Sequence, residues 1–356
     1  MLGVGALVVA LGLAESGLRV LAGRRGPRWV HNLEFDYTVT LNRDGFRDTP
    51  FAVHRRPGHV RILFIGDSFV YGSGVAQDQT IPVLMEQEFT RHGAVVEVYN
   101  LGVPGADTWD YVEVARRFAS YEADVVLLGV YVDNDLFGDS TSVLDRLLPT
   151  APRSYLWQLL RRVARERDSG CRHPFVQQYP ADPYYIDLAC RDRINPFLIP
   201  RAARARDEPT YYARLARRFD SLPAFRNNML AVGRLFPRAR YGVVLFPSKY
   251  QVSAAYFPEL RRLGFHFGEG PVAGNVQQNI AAAMRAAGTG VLDLLPTLRA
   301  SRAELGRNHY HRIDGHLNAL GDSVAARAVV EWLRSDPAVG GVLSPPGSGD
   351  GLRSPS

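Results

Sequence analysis

Short, unbroken apolar runs separated by stretches of helical period organise the middle and end of this chain. Residues 62–65 (Ile-Leu-Phe-Ile), 125–130 (Val-Val-Leu-Leu-Gly-Val) and 241–246 (Tyr-Gly-Val-Val-Leu-Phe) show no polar alternation. A strand reads this way when both its faces are covered, as in a parallel sheet. Residues 95–99 (Val-Val-Glu-Val-Tyr) and 291–294 (Val-Leu-Asp-Leu) are weaker versions of the pattern. Ile81, Leu84, Met85 and Phe89 share one helical face, and Asp107-Thr108 reads as the cap of a helix carrying Trp109, Val112 and Ala115. Further helices are expected near 275–287 and over 317–334, the latter with Leu320, Val324, Ala328 and Trp332 on one stripe. Strands alternating with helices predict an α/β fold: a three-layer α/β/α sandwich around a parallel, five-stranded, flavodoxin-like sheet.

The alternation stops over 136–240, which is rich in Arg, Tyr and Pro with helical pieces near 156–167 and 211–219. This segment is expected to be a long cap insertion in a domain spanning 61–335. Residues 24–60 are an N-terminal extension with turn signals at Asn42-Arg-Asp-Gly45 and Pro57-Gly58. The Gly-, Pro- and Ser-rich residues 336–356 are expected to be disordered. At the other end, residues 2–14 are apolar, interrupted by Glu15 and Arg19 before Leu21 and Ala22. That is short of the roughly 20 residues of a spanning helix, and no basic residue precedes it as in a signal peptide. Residues 1–23 are expected to anchor or export the chain through this hydrophobic stretch, with the orientation open.

Composition narrows the function classes. An apolar share of 46% with 22% charged residues describes a globular protein and excludes fibrous, coiled-coil and wholly disordered chains. The net charge of +6 rests almost wholly on arginines, Lys249 being the sole lysine, and they are scattered rather than clustered. A nucleic-acid partner is therefore not expected. Cys171 and Cys190 are too few for a disulfide framework; they could pair if the protein is exported and are otherwise buried or spare thiols. His54, His59, His92, His173 and His266 show no metal-ligand spacing, and neither metal nor cofactor is expected.

In open α/β sheets the site lies beyond the carboxyl ends of the strands. The first strand is followed by Gly66-Asp67-Ser68, where a serine at a helix entry either exposes its hydroxyl or merely caps the helix. The second leads into Asn100-Leu-Gly102-Val-Pro-Gly105, a backbone turn or an N–H donor. The third leads into Asp133-Asn134-Asp135, a turn former or an amide donor to an oxyanion. Before the last helix stands Asp314-Gly315-His316. There the aspartate either caps the helix or meets the imidazole across a turn, orienting a general base.

Taken in order, these segments resemble the SGNH (GDSL-type) esterase and lipase superfamily over about residues 61–135 and 240–334. The resemblance implies Ser68 as nucleophile and Asp314 and His316 as acid and base. It implies an oxyanion hole from Ser68, Gly105 and the Asn134 side chain. The single residue between Asp314 and His316 is similar to the SGNH-like domains of alginate-type polysaccharide O-acetyltransferases, as is Phe246-Pro-Ser-Lys249. Val132-Asp133 replaces the family's glycine before Asn134. Lys249 is left open between a substrate-binding residue at the cleft and a surface residue. The expected function is serine-dependent hydrolysis of a small-molecule or glycan ester. The alternatives are O-acetyl transfer to a polysaccharide or other glycan, and a non-catalytic carbohydrate-binding domain. Nothing in the residues fixes the oligomeric state.

Overall fold

The computed structural model describes Ala6, 10–17, 28–31, 34–133, 135, 219, 223–256, 275–312, 314–336 and Leu343. The chain divides into two compact units, Met1–Arg28 with Gly138–Ile194, and Trp29–Phe137 with Asn195–Ser356. In the first, the described residues 10–17 are helical. No described helix is long and apolar enough to cross a membrane. Most of the hydrophobic N-terminus, residues 136–218, both cysteines, and the tail beyond 336 apart from Leu343 lie outside the described residues.

Short strands β1 (Arg28–His31) and β2 (Asp36–Val39) pair with each other. The main sheet comprises β3 (Val60–Gly66), β4 (Val96–Gly102), β5 (Val125–Tyr131), β6 (Arg240–Phe246) and β7 (Gly290–Asp293). It is parallel throughout, in the order β4-β3-β5-β6-β7. Every residue of β3 and β5 is buried, the physical meaning of their unbroken apolar runs. The helices are α1 (Ser68–Tyr71), α2 (Ile81–Arg91), α3 (Thr108–Phe118), α4 (Pro223–Arg234), α5 (Lys249–Val252), α6 (Asn275–Ala286), α7 (Leu294–Leu305) and α8 (Ala319–Ser335). The packed groups α2–α8–α7 and α3–α4–α6 cover the two faces of the sheet.

Three details differ from the sequence pattern. Helix α4 lies inside the expected cap segment yet buries Phe225, Met229 and Val232 against α3 and α6, so it belongs to the sandwich. Helix α3 turns Tyr111, Val112, Ala115 and Phe118 inward, leaving Trp109 50% exposed. The extension 24–60 is not an appendage: Phe51 stacks on Tyr99 at 4.4 Å and Phe46 meets Phe118 edge-on at 5.3 Å.

Strands β3 and β4 end in register, Gly66 opposite Gly102, so the loops that follow emerge at one edge of the sheet. Gly102 lies against α1 so closely that a Cβ there would stand 2.2 Å from the Tyr71 backbone nitrogen. Because that neighbour is main chain, it cannot yield by changing rotamer. Gly102→Ala is expected to cost about 3 kcal/mol or more through overpacking. The melting temperature then falls by roughly 6 °C or more, and a thermal melt superimposable on wild type would refute this account of the strand end.

Candidate active site

The turn from β3 into α1 sets Ser68. Asp67, not Ser68, is the N-cap: its Oδ1 accepts from the Phe69 N–H at 2.9 Å, so Ser68 is the first helical residue and its hydroxyl is released from capping. The short helix is held from behind by the buried Arg47, whose guanidinium donates to the Tyr71, Gly72 and Val75 carbonyls. The Tyr37 hydroxyl accepts from Gly74 N–H at 3.1 Å. These contacts come from the N-terminal extension, to which the sequence alone assigned no role.

Asp314 and His316 sit on a hairpin rather than at the start of a helix. Tyr310 and Leu317 form an isolated antiparallel bridge, and His311 N–H donates to His316 O at 3.1 Å. The cap of α8 is Asn318, whose Oδ1 accepts from Leu320 and Gly321 N–H while its amide donates back to the Asn308 and Tyr310 carbonyls. The Tyr256 hydroxyl accepts from His309 and Tyr310 N–H, and the Tyr310 hydroxyl donates to Pro247 O at 2.6 Å.

The one-residue spacing works as an aspartate turn, in which a side-chain oxygen takes the N–H two residues on. Asp314 Oδ1 accepts from the His316 main-chain N–H at 2.8 Å and from its ring Nδ1 at 2.6 Å. With Nδ1 donating, Nε2 is the acceptor, and it stands 2.7 Å from Ser68 Oγ. Asp67 Oδ2 also lies 3.3 Å from that hydroxyl, but the shorter, better acceptor is the imidazole. Ser68 and His316 are only 8% and 7% exposed and Asp314 1%, so the connected row is almost closed to water.

Burial alone would lower the His316 proton affinity, but the facing Asp314 carboxylate outweighs it and holds the imidazole above its ordinary value. Burial alone would raise the Asp314 carboxyl; the imidazole's charge and hydrogen bonds pull it below the usual carboxylate range. Asp67, fully buried, is pushed up to about 6. Behind it, burial raises Asp135, whose Oδ2 accepts from Tyr111 OH at 2.6 Å and Tyr131 N–H at 2.8 Å.

Of the residues singled out from sequence, the structure thus brings Ser68, His316 and Asp314 into one row. Gly105 lies exposed on the loop after β4, at φ +78°, a left-handed turn that glycine adopts without strain. Asn134 lies outside the described residues, between the buried Asp133 and Asp135. Lys249 is neither a surface residue nor an open cleft group. It is 1% exposed, and its Nζ donates to the Arg312 and Asp314 carbonyls, both at 3.2 Å. Sequence reasoning missed the roles of Asp67, Arg47 and Asn318. The last was readable as a helix cap two residues after His316.

Residues 238–344 match the SGNH hydrolase-like domain of the acetyltransferase AlgX. No curated protein sequence matches the chain. Among solved structures, the chain is similar to an extracellular lipase from Streptomyces rimosus (14% identity, TM-score 0.42, 76% of this chain and 98% of that one covered). It is also similar to the acetyl xylan esterase AlAXEase (13%, TM-score 0.38, 77% and 100%). A third is a member of the lipolytic G-D-S-L family from Veillonella parvula (11%, TM-score 0.37, 78% and 99%).

Proposed function

We propose that this chain is an SGNH/GDSL-type, serine-dependent acyl-ester hydrolase working through Ser68, a reading supported by the SGNH hydrolase-like match over residues 238–344. The observation that carries this reading is the unbroken hydrogen-bonded row Ser68 Oγ–His316–Asp314 Oδ1, with contacts of 2.7 and 2.6 Å. A structural serine has no need of a buried imidazole whose far nitrogen is fixed by a carboxylate. In the proposed reaction Nε2 takes the hydroxyl proton as Oγ attacks the ester carbonyl, and Asp314 stabilises the imidazolium that forms. The imidazolium then protonates the departing alcohol, leaving an acyl-serine. Water, deprotonated by the same nitrogen, attacks the acyl-serine and frees the acid. The Ser68 and Gly105 N–H groups and the Asn134 amide are the proposed donors to the oxyanion, each worth about 10²–10³ in turnover.

A second reading rests on one finding, the AlgX acetyltransferase domain match over 238–344. This range contains Asp314 and His316 at their one-residue spacing. In that reading the acyl-serine is discharged to a sugar hydroxyl instead of water.

The full chain, turning over p-nitrophenyl acetate with and without a soluble oligosaccharide, separates the two. Fast release of acetate that the oligosaccharide does not divert supports hydrolysis. Acetyl appearing on the oligosaccharide at the expense of acetate establishes transfer. Turnover indistinguishable from a denatured control would defeat both and leave a carbohydrate-binding role.

A further inference from the structure

We propose that Glu34 and Lys249 form a charged clamp on the Asp314 main chain and are positioning residues for the acid–base pair. The proposal rests on the reading of Ser68, His316 and Asp314 as a reacting row. Glu34 Oε2 accepts from the Asp314 N–H at 2.7 Å. From the other side Lys249 Nζ donates to the Asp314 carbonyl at 3.2 Å and to the Arg312 carbonyl at the same distance. The residue that orients the imidazole is thus held at its N–H by an anion and at its C=O by a cation.

The hairpin needs such an outside grip. Its strands are joined at a single bridge, Tyr310 to Leu317, flanked by two main-chain bonds, His311 N–H to His316 O and Asn318 N–H to His309 O. Asp314 sits at the tip, where no ladder of bonds fixes the peptide groups, and its Oδ1 is already committed to His316. A small rotation of that residue would swing the imidazole off Ser68. Charge-assisted bonds from Glu34 and Lys249 are stronger than neutral ones and resist that rotation. Their opposite charges also add nothing net to a pocket that already holds Asp67 and Asp314.

Neither partner lies on the hairpin. Glu34 precedes Asp314 by 280 residues and stands just ahead of β2, whereas Lys249 opens α5 after β6. Around Glu34, Phe35 packs edge-on to His311 at 5.1 Å. The N-terminal extension therefore reaches the hairpin as well as the helix of Ser68.

The test uses the full chain with Glu34→Ala, Glu34→Gln and Lys249→Met, read by steady-state turnover of p-nitrophenyl acetate and by proton NMR. Glu34→Ala and Lys249→Met are each expected to lower kcat by about 10²-fold, with KM within about twofold of wild type. Glu34→Gln keeps an acceptor oxygen without the charge and is expected to recover part of that loss. The downfield resonance of the His316 Nδ1 proton should fade in Glu34→Ala and persist in Glu34→Gln. Glu34→Ala at wild-type kcat, or Gln failing as badly as Ala with both unfolding at lower temperature, would overturn the clamp. The resonance needs no turnover. If the wild type lacks esterase activity but its resonance still depends on Glu34, the function fails while the clamp stands.

Discussion

Replacing Ser68 by alanine is expected to lower ester turnover by on the order of 10⁶-fold, the loss seen when the nucleophile of a serine triad is removed. The size of the effect follows from there being no substitute. The other described Ser–His contact, Ser301 Oγ to His309 Nε2 at 2.9 Å, has a buried ring whose Nδ1 finds no partner among the described residues. Burial lowers the His309 proton affinity, and no carboxylate among its causes offsets this, whereas Asp314 raises that of His316. Ser301→Ala should therefore leave turnover within about twofold, since nothing is lost but one hydrogen bond. Labelling by a fluorophosphonate should vanish in Ser68→Ala and survive in Ser301→Ala. Because Asp67 rather than Ser68 caps the helix, the alanine variant should melt where wild type does. Labelling that persists in a folded Ser68→Ala protein would place the nucleophile elsewhere.

Asp314→Asn is expected to cost about 10⁴-fold in kcat, with the fold retained. The amide still accepts from the His316 main chain, but it no longer compensates an imidazolium buried beside Ser68. In wild type the base must be neutral, and burial is outweighed by Asp314, so the acid limb of kcat/KM should lie above 6.5. In the variant burial is left less opposed, and the limb moves downward. Stability follows a different course. The raised His316 value contributes fully below 6.5, and that contribution is lost as pH rises through the folded value. The depressed Asp314 value contributes above 3.8 and is lost as pH falls through its folded value. Melting curves of wild type against Asp314→Asn across pH should differ most between those two losses. An acid limb that stays in place in the variant would contradict the assignment of His316 as base.

The sheet was readable because both faces of its strands are buried, which leaves an unbroken apolar run such as residues 125–130. The helices were less so. Helix α7 begins directly at the end of β7 with Asp293 as its cap, so no polar loop announced it. Helix α4 was hidden in a segment dominated by Arg and Tyr. Trp109 suggested an inward stripe through Ala115, whereas the buried positions run through Tyr111, a turn of the same helix rotated by one position. In the site, the order of Ser68, Asp314 and His316 was legible, since each follows a strand or precedes the last helix. A turn joining Asp314 to His316 was readable as one of two alternatives; the hairpin that holds the turn, bridged at Tyr310 and Leu317, was not, because that pairing leaves no helical period. The contribution of Glu34 had no local signature at all.

The contact between Ser68 and His316 joins residues 248 positions apart, one in the first βα turn of the main sheet and the other before the last helix. Contacts of such separation close late in folding, after the loop entropy between them has been overcome. On a ribosome Ser68 emerges long before His316. On the proposed reading Ser68 is an ordinary alcohol during that whole interval, and reactivity arises only when the C-terminal hairpin docks. Esterase activity in translation-arrested chains of graded length would therefore switch on in one step, timing the completion of the fold.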